Sequence, residues 1–237
     1  MSQPIIYNKF KSGNYDQRKF DISLIIIHFT ETKTFNEALN LLTSLERKVS
    51  SHYLIDKSGD IFNLVDLDKR AWHAGESMWG NYNDINSRSI GIEIVNSGEV
   101  MKEDYTTKQI NSLSVLLNSL LKDYNIENIL GHSDIAPTRK IDPGVHFPWQ
   151  KIYQNLGLEW VKDRISNERV KKSDYLVFLK RLKEFGYPYI EMNTSYSKNQ
   201  LIINAFHRRY LPKLLYKKLT LTSLNKINDL LRNKKKY

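Results

Sequence analysis

The 237-residue sequence contains no cysteine. Disulfides, thiolate metal ligands and cysteine nucleophiles are therefore excluded, and any metal site must be built from His, Asp and Glu. No apolar run approaches the ~18 residues that a membrane-spanning helix needs. Residues 1–20 lack the basic-then-apolar layout of an export signal. No internal repeat stands out. Apolar residues make up 41% of the chain and charged residues 26%, which argues against global disorder and against fibrous architectures.

Charge is abundant but uneven. Residues 171–237 hold 16 Lys and Arg against 4 Asp and Glu, a net +12, whereas residues 1–170 hold 20 against 22, a net −2. A near-neutral body with a basic end predicts two units, at 1–160 and 170–237, and an anionic partner for the second.

The pattern along the first unit alternates strands with helices. Residues 22–28, ISLIIIH, form a continuous β-branched run of the kind buried on both faces of a sheet, and the run ends at His28. Thr34 and Glu37 form a capping box that predicts a helix through Arg47. Strands are expected at 52–55 and 61–65, joined by the turn Lys57–Asp60. Residues 66–88 read as a long polar loop, and loops of that length are uncommon unless functional. Residues 89–95 alternate as a strand that places Glu93 on the same face as Gly91. Thr106 and Gln109 cap a helix with a stripe of Ile110, Leu113, Leu117 and Leu120. A short strand over 128–131 delivers His132, and residues 133–149 read as loop. The second unit shows three helical segments, at 174–185, from Ser197 to Tyr210, and at 222–232, with a frayed basic end at Lys234–Lys236. The expected fold class is α/β (α+β): a mixed central sheet flanked by helices, with a small three-helix C-terminal domain.

Three stretches place acid/base or ligand-type residues at strand ends, where open sheets bind ligands. They are IIIH ending at His28, IGIE ending at Glu93, and GHSDIAPTRKIDPG over 131–144, which carries His132, Lys140 and Asp142. Two histidines and a carboxylate are a standard protein set for catalytic zinc, and Glu93 would be a carboxylate suited to take a water's proton. Taken singly, each residue has a plainer reading. His28 reads as a buried, hydrogen-bonded histidine, Asp142-Pro-Gly as a turn, Glu93 as a solvated outward residue and Lys140 as a surface lysine. The hypothesis draws its force from the set.

The motifs WHAG over 72–75, SIGIE over 89–93 and GHSDIAPTRKIDPG over 131–144, in this order, closely resemble the N-acetylmuramoyl-L-alanine amidase type 2 family, in its AmpD-like branch. The resemblance spans residues 20–150. It implies a mixed sheet flanked by helices, a fold shared with peptidoglycan-recognition proteins, and one bound zinc ion. Position by position it implies His28, His132 and Asp142 as the zinc ligands, Glu93 as the catalytic acid/base and Lys140 as the residue that steadies the oxyanion. Aspartate at the third ligand position, where other relatives often have cysteine, fits a chain without cysteine. Trp72, His52, His73, Arg88 and Arg139 are candidate substrate contacts, with core or surface roles as the alternatives; His146 and His207 read as structural. In the second unit, Phe178–Pro188 and Asn204–Arg209 look like a peptidoglycan-binding three-helix module, and read equally as a structural cap.

The resemblance implies hydrolysis of the amide between N-acetylmuramic acid, or its 1,6-anhydro form, and L-alanine, in wall turnover or recycling. Peptidoglycan or muropeptide fragments are the expected partners. The alternative from another class is a non-catalytic peptidoglycan-recognition protein. Nucleic-acid binding by the basic end is a third reading, unsupported by any recognition motif. Lack of a leader points to the cytoplasm and the appended unit to the periplasm; the periplasm is the expectation.

Overall fold

The structure, a computed structural model, describes residues 5–192 and 194–233; the basic end at 234–237 lies outside them. A six-stranded mixed sheet is built from β1 (Ile6–Tyr7), β3 (Leu24–Phe29), β4 (Tyr53–Ile55), β5 (Ile61–Asn63), β7 (Ser89–Ile94) and β8 (Asn128–Gly131), in the order β1-β5-β4-β7-β3-β8. The β4–β5 pair is antiparallel and the other pairings are parallel. A separate two-stranded ribbon pairs β2 (Tyr15–Gln17) with β6 (Lys69–Ala71). The polar stretch at 66–88 is thus not all loop: it holds β6 and the short helix α2 (Ile85–Arg88).

Side-chain alternation divides the central strands. Ile25, Ile27, Ile90, Ile92, Ile94 and Ile129 face α3 (Thr107–Asp123) and α5 (Trp149–Asn155) in one hydrophobic cluster. Leu24, Ile26 and Leu130 face the other way. On that second face, α1 (Phe35–Thr43) covers Leu54 and Phe62 of the β4–β5 end. Residues of α6 (Lys172–Phe185), α7 (Gln200–Tyr210) and α8 (Leu221–Arg232) share a cluster with Leu24, Ile26 and Leu130 at the β3–β8 end. His28, Gly91 and Glu93 lie on this face between the two covered ends. Phe178, Leu179, Leu182 and Phe206 of the C-terminal helices are completely buried, so these helices complete the core of the first unit.

Both predicted capping boxes form. The Thr34 and Thr106 hydroxyls accept the Glu37 and Gln109 amides, and the Glu37 and Gln109 side chains return the bond to the cap amides. Helix α1 ends at Thr43 rather than Arg47: Ser44 is extended, and the residues beyond it offer little apolar surface to bury, Leu45 being 69% exposed. The helical segment expected from Ser197 begins instead at Gln200, because Tyr196–Asn199 form a 3₁₀ turn that leads directly into α7.

His52 was a candidate substrate contact, and the structure corrects this: the side chain is completely buried. Its Nδ1 accepts the Gly91 N–H at 2.9 Å, and its Nε2 lies 2.7 Å from Arg18 Nη2 and 3.1 Å from the Lys69 carbonyl, tying β6 to β7. His207 is also fully buried, against the Ser223 hydroxyl. Burial, aided by Arg18, pushes His52 down to about 3, and burial pushes His207 down to about 4. An unfolded histidine titrates near 6.5. Between these values the unfolded chain binds more protons than the folded one, so stability is lost as pH falls below about 6.5. Urea unfolding of the metal-free protein should therefore weaken by about 1.4 kcal/mol per pH unit for each such histidine. A folded His207→Gln variant should lose one proton's worth of that slope; an unchanged slope would contradict the assignment.

Candidate metal centre and active site

His28 sits near the C-terminal end of β3, level with Glu93 of β7 in the parallel register. Paired residues of neighbouring strands share a face, so the imidazole and the carboxyl stand side by side. β8 ends at Gly131 and runs directly into α4 (His132–Ile135), which places His132 one strand away. The chain then turns through Pro137 and returns Asp142. Gly131 permits this return, because a Cβ there would meet Pro143 Cδ at 2.7 Å.

The three candidate ligands converge. His28 Nδ1 and His132 Nδ1 are 3.0 Å apart, and Asp142 Oδ2 lies 2.9 Å from the first and 3.0 Å from the second. All three residues are buried.

The surrounding hydrogen bonds fix which ring nitrogens face inward. His132 Nε2 donates to the Ala74 carbonyl at 3.0 Å, leaving Nδ1 without a proton in the neutral ring. The Ser89 hydroxyl donates to the Ile85 carbonyl and accepts from His73 Nε2, so His73 Nδ1 is bare and accepts from His28 Nε2. His28 Nδ1 is then bare as well. With both rings neutral and these tautomers, two imidazole lone pairs and a carboxylate oxygen meet at about 3 Å, a donor set suited to a metal ion. Tetrahedral zinc with ligands at 2.0–2.1 Å has edges of about 3.3–3.4 Å, so the triangle fits such an ion with a slight outward relaxation.

The electrostatics agree. Burial, with His132 next, pushes His28 down to about 4, so the ring is neutral at neutral pH. Burial opposes ionisation of Asp142, but His132 and His28 outweigh it and hold the carboxyl well below the ordinary range. Glu93 behaves oppositely: burial, then the charge of Asp142, raises it well above the usual carboxylate range, with Lys140 acting against the shift. Glu93 Oε2 is buried and has no hydrogen-bond partner among the described residues. Lys140 itself is exposed, and its charge is felt at both His28 and Glu93.

The candidate substrate contacts divide. His73 is 5% exposed, and its edge packs on His28, whose Nε2 it holds at 3.0 Å. Its ring fills the space left by Gly91, where a Cβ would come within 2.4 Å of it. Arg88 is displaced from the site. It precedes Ser89, which is level with Leu24 at the opposite end of the sheet from His28 and Glu93, and four residues of strand span about 13 Å. Its guanidinium stacks on Phe20 at 3.6 Å and on Tyr82 at 4.7 Å. Arg139 is exposed and donates to the Ala74 and Glu76 carbonyls, clamping the segment that also receives His132 Nε2. Trp72 is half-buried and remains a candidate contact. His146 lies at the surface against Asp104. The sequence reading assigned no role to Asp134, Glu99 or Ala74. Asp134 stands inside the quoted motif, but nothing in the sequence shows that its partner is Arg209, 75 residues away.

Fold and site together define a class: a mixed-sheet α/β protein with a converging His–His–Asp triad that could hold a metal ion at the C-terminal ends of parallel strands, and a buried glutamate beside it. The chain belongs to the N-acetylmuramoyl-L-alanine amidase family, whose model matches residues 17–145. It is 31% identical over 214 residues to the N-acetylmuramoyl-L-alanine amidase AmiD of Escherichia coli, covering 81% of this chain and 76% of that protein. The solved complex of AmiD with the substrate anhydro-N-acetylmuramic acid-L-Ala-D-γ-Glu-L-Lys superposes with a TM-score of 0.79 at 29% identity, over 90% of this chain and 89% of that one. The 1,6-anhydro-N-acetylmuramyl-L-alanine amidase AmpD of Haemophilus influenzae is 33% identical over 62% of this chain and 91% of its own length. AmpDh3 of Pseudomonas aeruginosa, solved with anhydromuramic pentapeptide, gives a TM-score of 0.77 at 28% identity over 97% of this chain and 98% of that one.

Proposed function

We propose that the chain is a zinc-dependent amidase that cuts the bond between N-acetylmuramic acid, or its 1,6-anhydro form, and L-alanine in muropeptides and wall peptidoglycan. The observation that carries this reading is the meeting of two bare imidazole nitrogens and a carboxylate oxygen at 3 Å, beside the unpartnered Glu93 Oε2. The substrates bound in the AmiD and AmpDh3 structures supply the chemical class.

His28, His132 and Asp142 would hold the ion. Zinc, when bound, supplies a Lewis acid that polarises the scissile carbonyl and makes a neighbouring water more acidic. Glu93, in a buried pocket with one oxygen free, takes the proton of the attacking water and delivers it to the departing L-alanine nitrogen. Its buried setting favours holding that proton between the two transfers. Lys140 brings positive charge toward the developing oxyanion, and a donor in this role is commonly worth about 3–4 kcal/mol. A non-catalytic recognition protein has no need of a buried carboxyl aimed at a metal triad.

The appended C-terminal unit is the ground on which we propose a periplasmic location, and the net +12 of residues 171–237 favours an anionic substrate. Purified sacculi and soluble anhydro-muropeptide, each digested with and without chelator, test the reading. The expected result is release of peptides with a free L-alanine amino terminus from both, abolished by chelator and restored by zinc. Absence of chelator-sensitive release from either substrate would overturn it.

A further inference from the structure

The segment 131–145 carries His132, Lys140 and Asp142, and both of its ends are held from the C-terminal unit. At the first end, Arg209 of α7 donates through Nη1 to Asp134 Oδ2 at 2.5 Å. The same oxygen accepts the Gly131 N–H at 2.8 Å, and Tyr187 donates to Asp134 Oδ1 at 2.7 Å. Gly131 and Asp134 flank His132. The other arm of Arg209 reaches the Ile129 carbonyl at 2.8 Å and the Tyr153 hydroxyl at 3.0 Å, while its plane stacks on Trp149 at 4.0 Å. The Asp134 and Arg209 side chains are 1% and 3% exposed. At the second end, Arg208 grips Glu99 with two bonds, at 2.7 and 3.2 Å. Glu99 Oε2 in turn accepts the Val145 N–H at 2.8 Å, three residues beyond Asp142.

We propose that the adjacent arginines Arg208 and Arg209 are positioning residues for the metal centre: α7 sets the two ends of segment 131–145 so that His132 and Asp142 meet. The inference rests on the metal-amidase reading and goes beyond it, because it makes the C-terminal helices part of the ligand scaffold. It also reassigns Asn204–Arg209. Asn204, Phe206, His207, Arg208 and Arg209 are at most 5% exposed, Arg208 and Arg209 against the first unit and His207 against Ser223 of α8, and are not available to grip a polymer.

Buried ion pairs are weak sources of net stability. A ligand set needs its members within about 0.5 Å of the productive geometry, and partners outside the ligand shell typically govern 10–100-fold in metal affinity. Arg209 serves three acceptors with one planar fork, which a lysine ammonium does not reproduce.

The test uses the full chain. Zinc affinity is measured by competition with a chelator for wild type, Arg209→Lys, Arg208→Lys and Tyr187→Phe, on samples shown by circular dichroism to be folded, with kcat and KM determined separately. The expected result is zinc affinity reduced 10–100-fold in the arginine variants and less in Tyr187→Phe. KM should stay within twofold, and excess zinc should restore most of kcat. A purely structural pair would lower the melting temperature without moving zinc affinity. Folded variants whose affinity stays within twofold of wild type overturn the inference. If Arg209→Lys does not fold, Arg208→Lys and Tyr187→Phe decide by the same criterion. Wild type without zinc affinity overturns the metal reading itself; wild type with affinity and unaltered variants overturns this inference alone.

Discussion

Glu93→Gln is expected to lower kcat by about 10²–10⁴-fold, the range that a positioned acid/base group commonly supplies, while the protein keeps its metal and its fold. The substitution preserves shape and removes only the ability to exchange a proton. Glu93 is not one of the three converging ligands, so metal content should stay at one ion per chain. Its buried oxygen has no protein partner among the described residues, so the amide disrupts no hydrogen bond there. Because the loss falls on a proton transfer, KM should change little and kcat should carry the effect. The measurement is turnover of a soluble anhydro-muropeptide together with elemental analysis. A variant with near-native turnover would remove Glu93 from its acid/base role.

His28→Ala is expected to lose both metal and activity. Three ligand atoms define the site, and deletion of one leaves a histidine and an aspartate, a set too small to hold a tetrahedral ion against water. The loss of affinity should exceed the 10–100-fold that removal of an outer partner costs. The ring is also the partner of His73, which should then be left with an unfilled acceptor. After dialysis the variant should contain no stoichiometric zinc and should show only background turnover at micromolar metal. Retention of one tightly held ion would strike His28 from the ligand set. The contrast between the two variants separates the proton-transfer group from the ligands: one keeps the ion and fails to turn over, the other loses both.

Much of the site was legible because its residues sit at the ends of strongly patterned elements. The β-branched run that ends at His28 has no plausible fate other than a buried strand. The alternation around Glu93 places it on the face of Gly91 whatever the rest of the chain does. The capping boxes at Thr34 and Thr106 are local bonds between residues three apart, so sequence is enough to find them. Elements whose stability comes from a distant partner were not legible. β1, β2 and β6 are two or three residues long and carry no periodic signal; they exist because β5 pairs with β1, and β2 and β6 pair with each other. His52 at the start of a strand and His73 in polar loop each allow a cleft or a structural role; both are buried, and only the packing of β6 and the segment after it against β7 reveals this.

By itself the sequence restricted any metal ligands to His, Asp and Glu and determined the strand-end placement of His28 and Glu93, the mixed α/β class and the longer helices α1, α3, α6, α7 and α8, though not the short α2 and α4 in stretches read as loop. These follow from local pattern and from the absence of cysteine. Only the tertiary structure decided which nitrogen of His28 and of His132 faces Asp142 and that Arg88 lies at the far end of the sheet. It alone showed that α7 is locked to the ligand segment through Arg208 and Arg209. The physical reason is that tautomers, burial and ion-pair partners depend on groups 40 to more than 100 residues apart in the chain, and no spacing in a single sequence encodes which of many distant groups will meet.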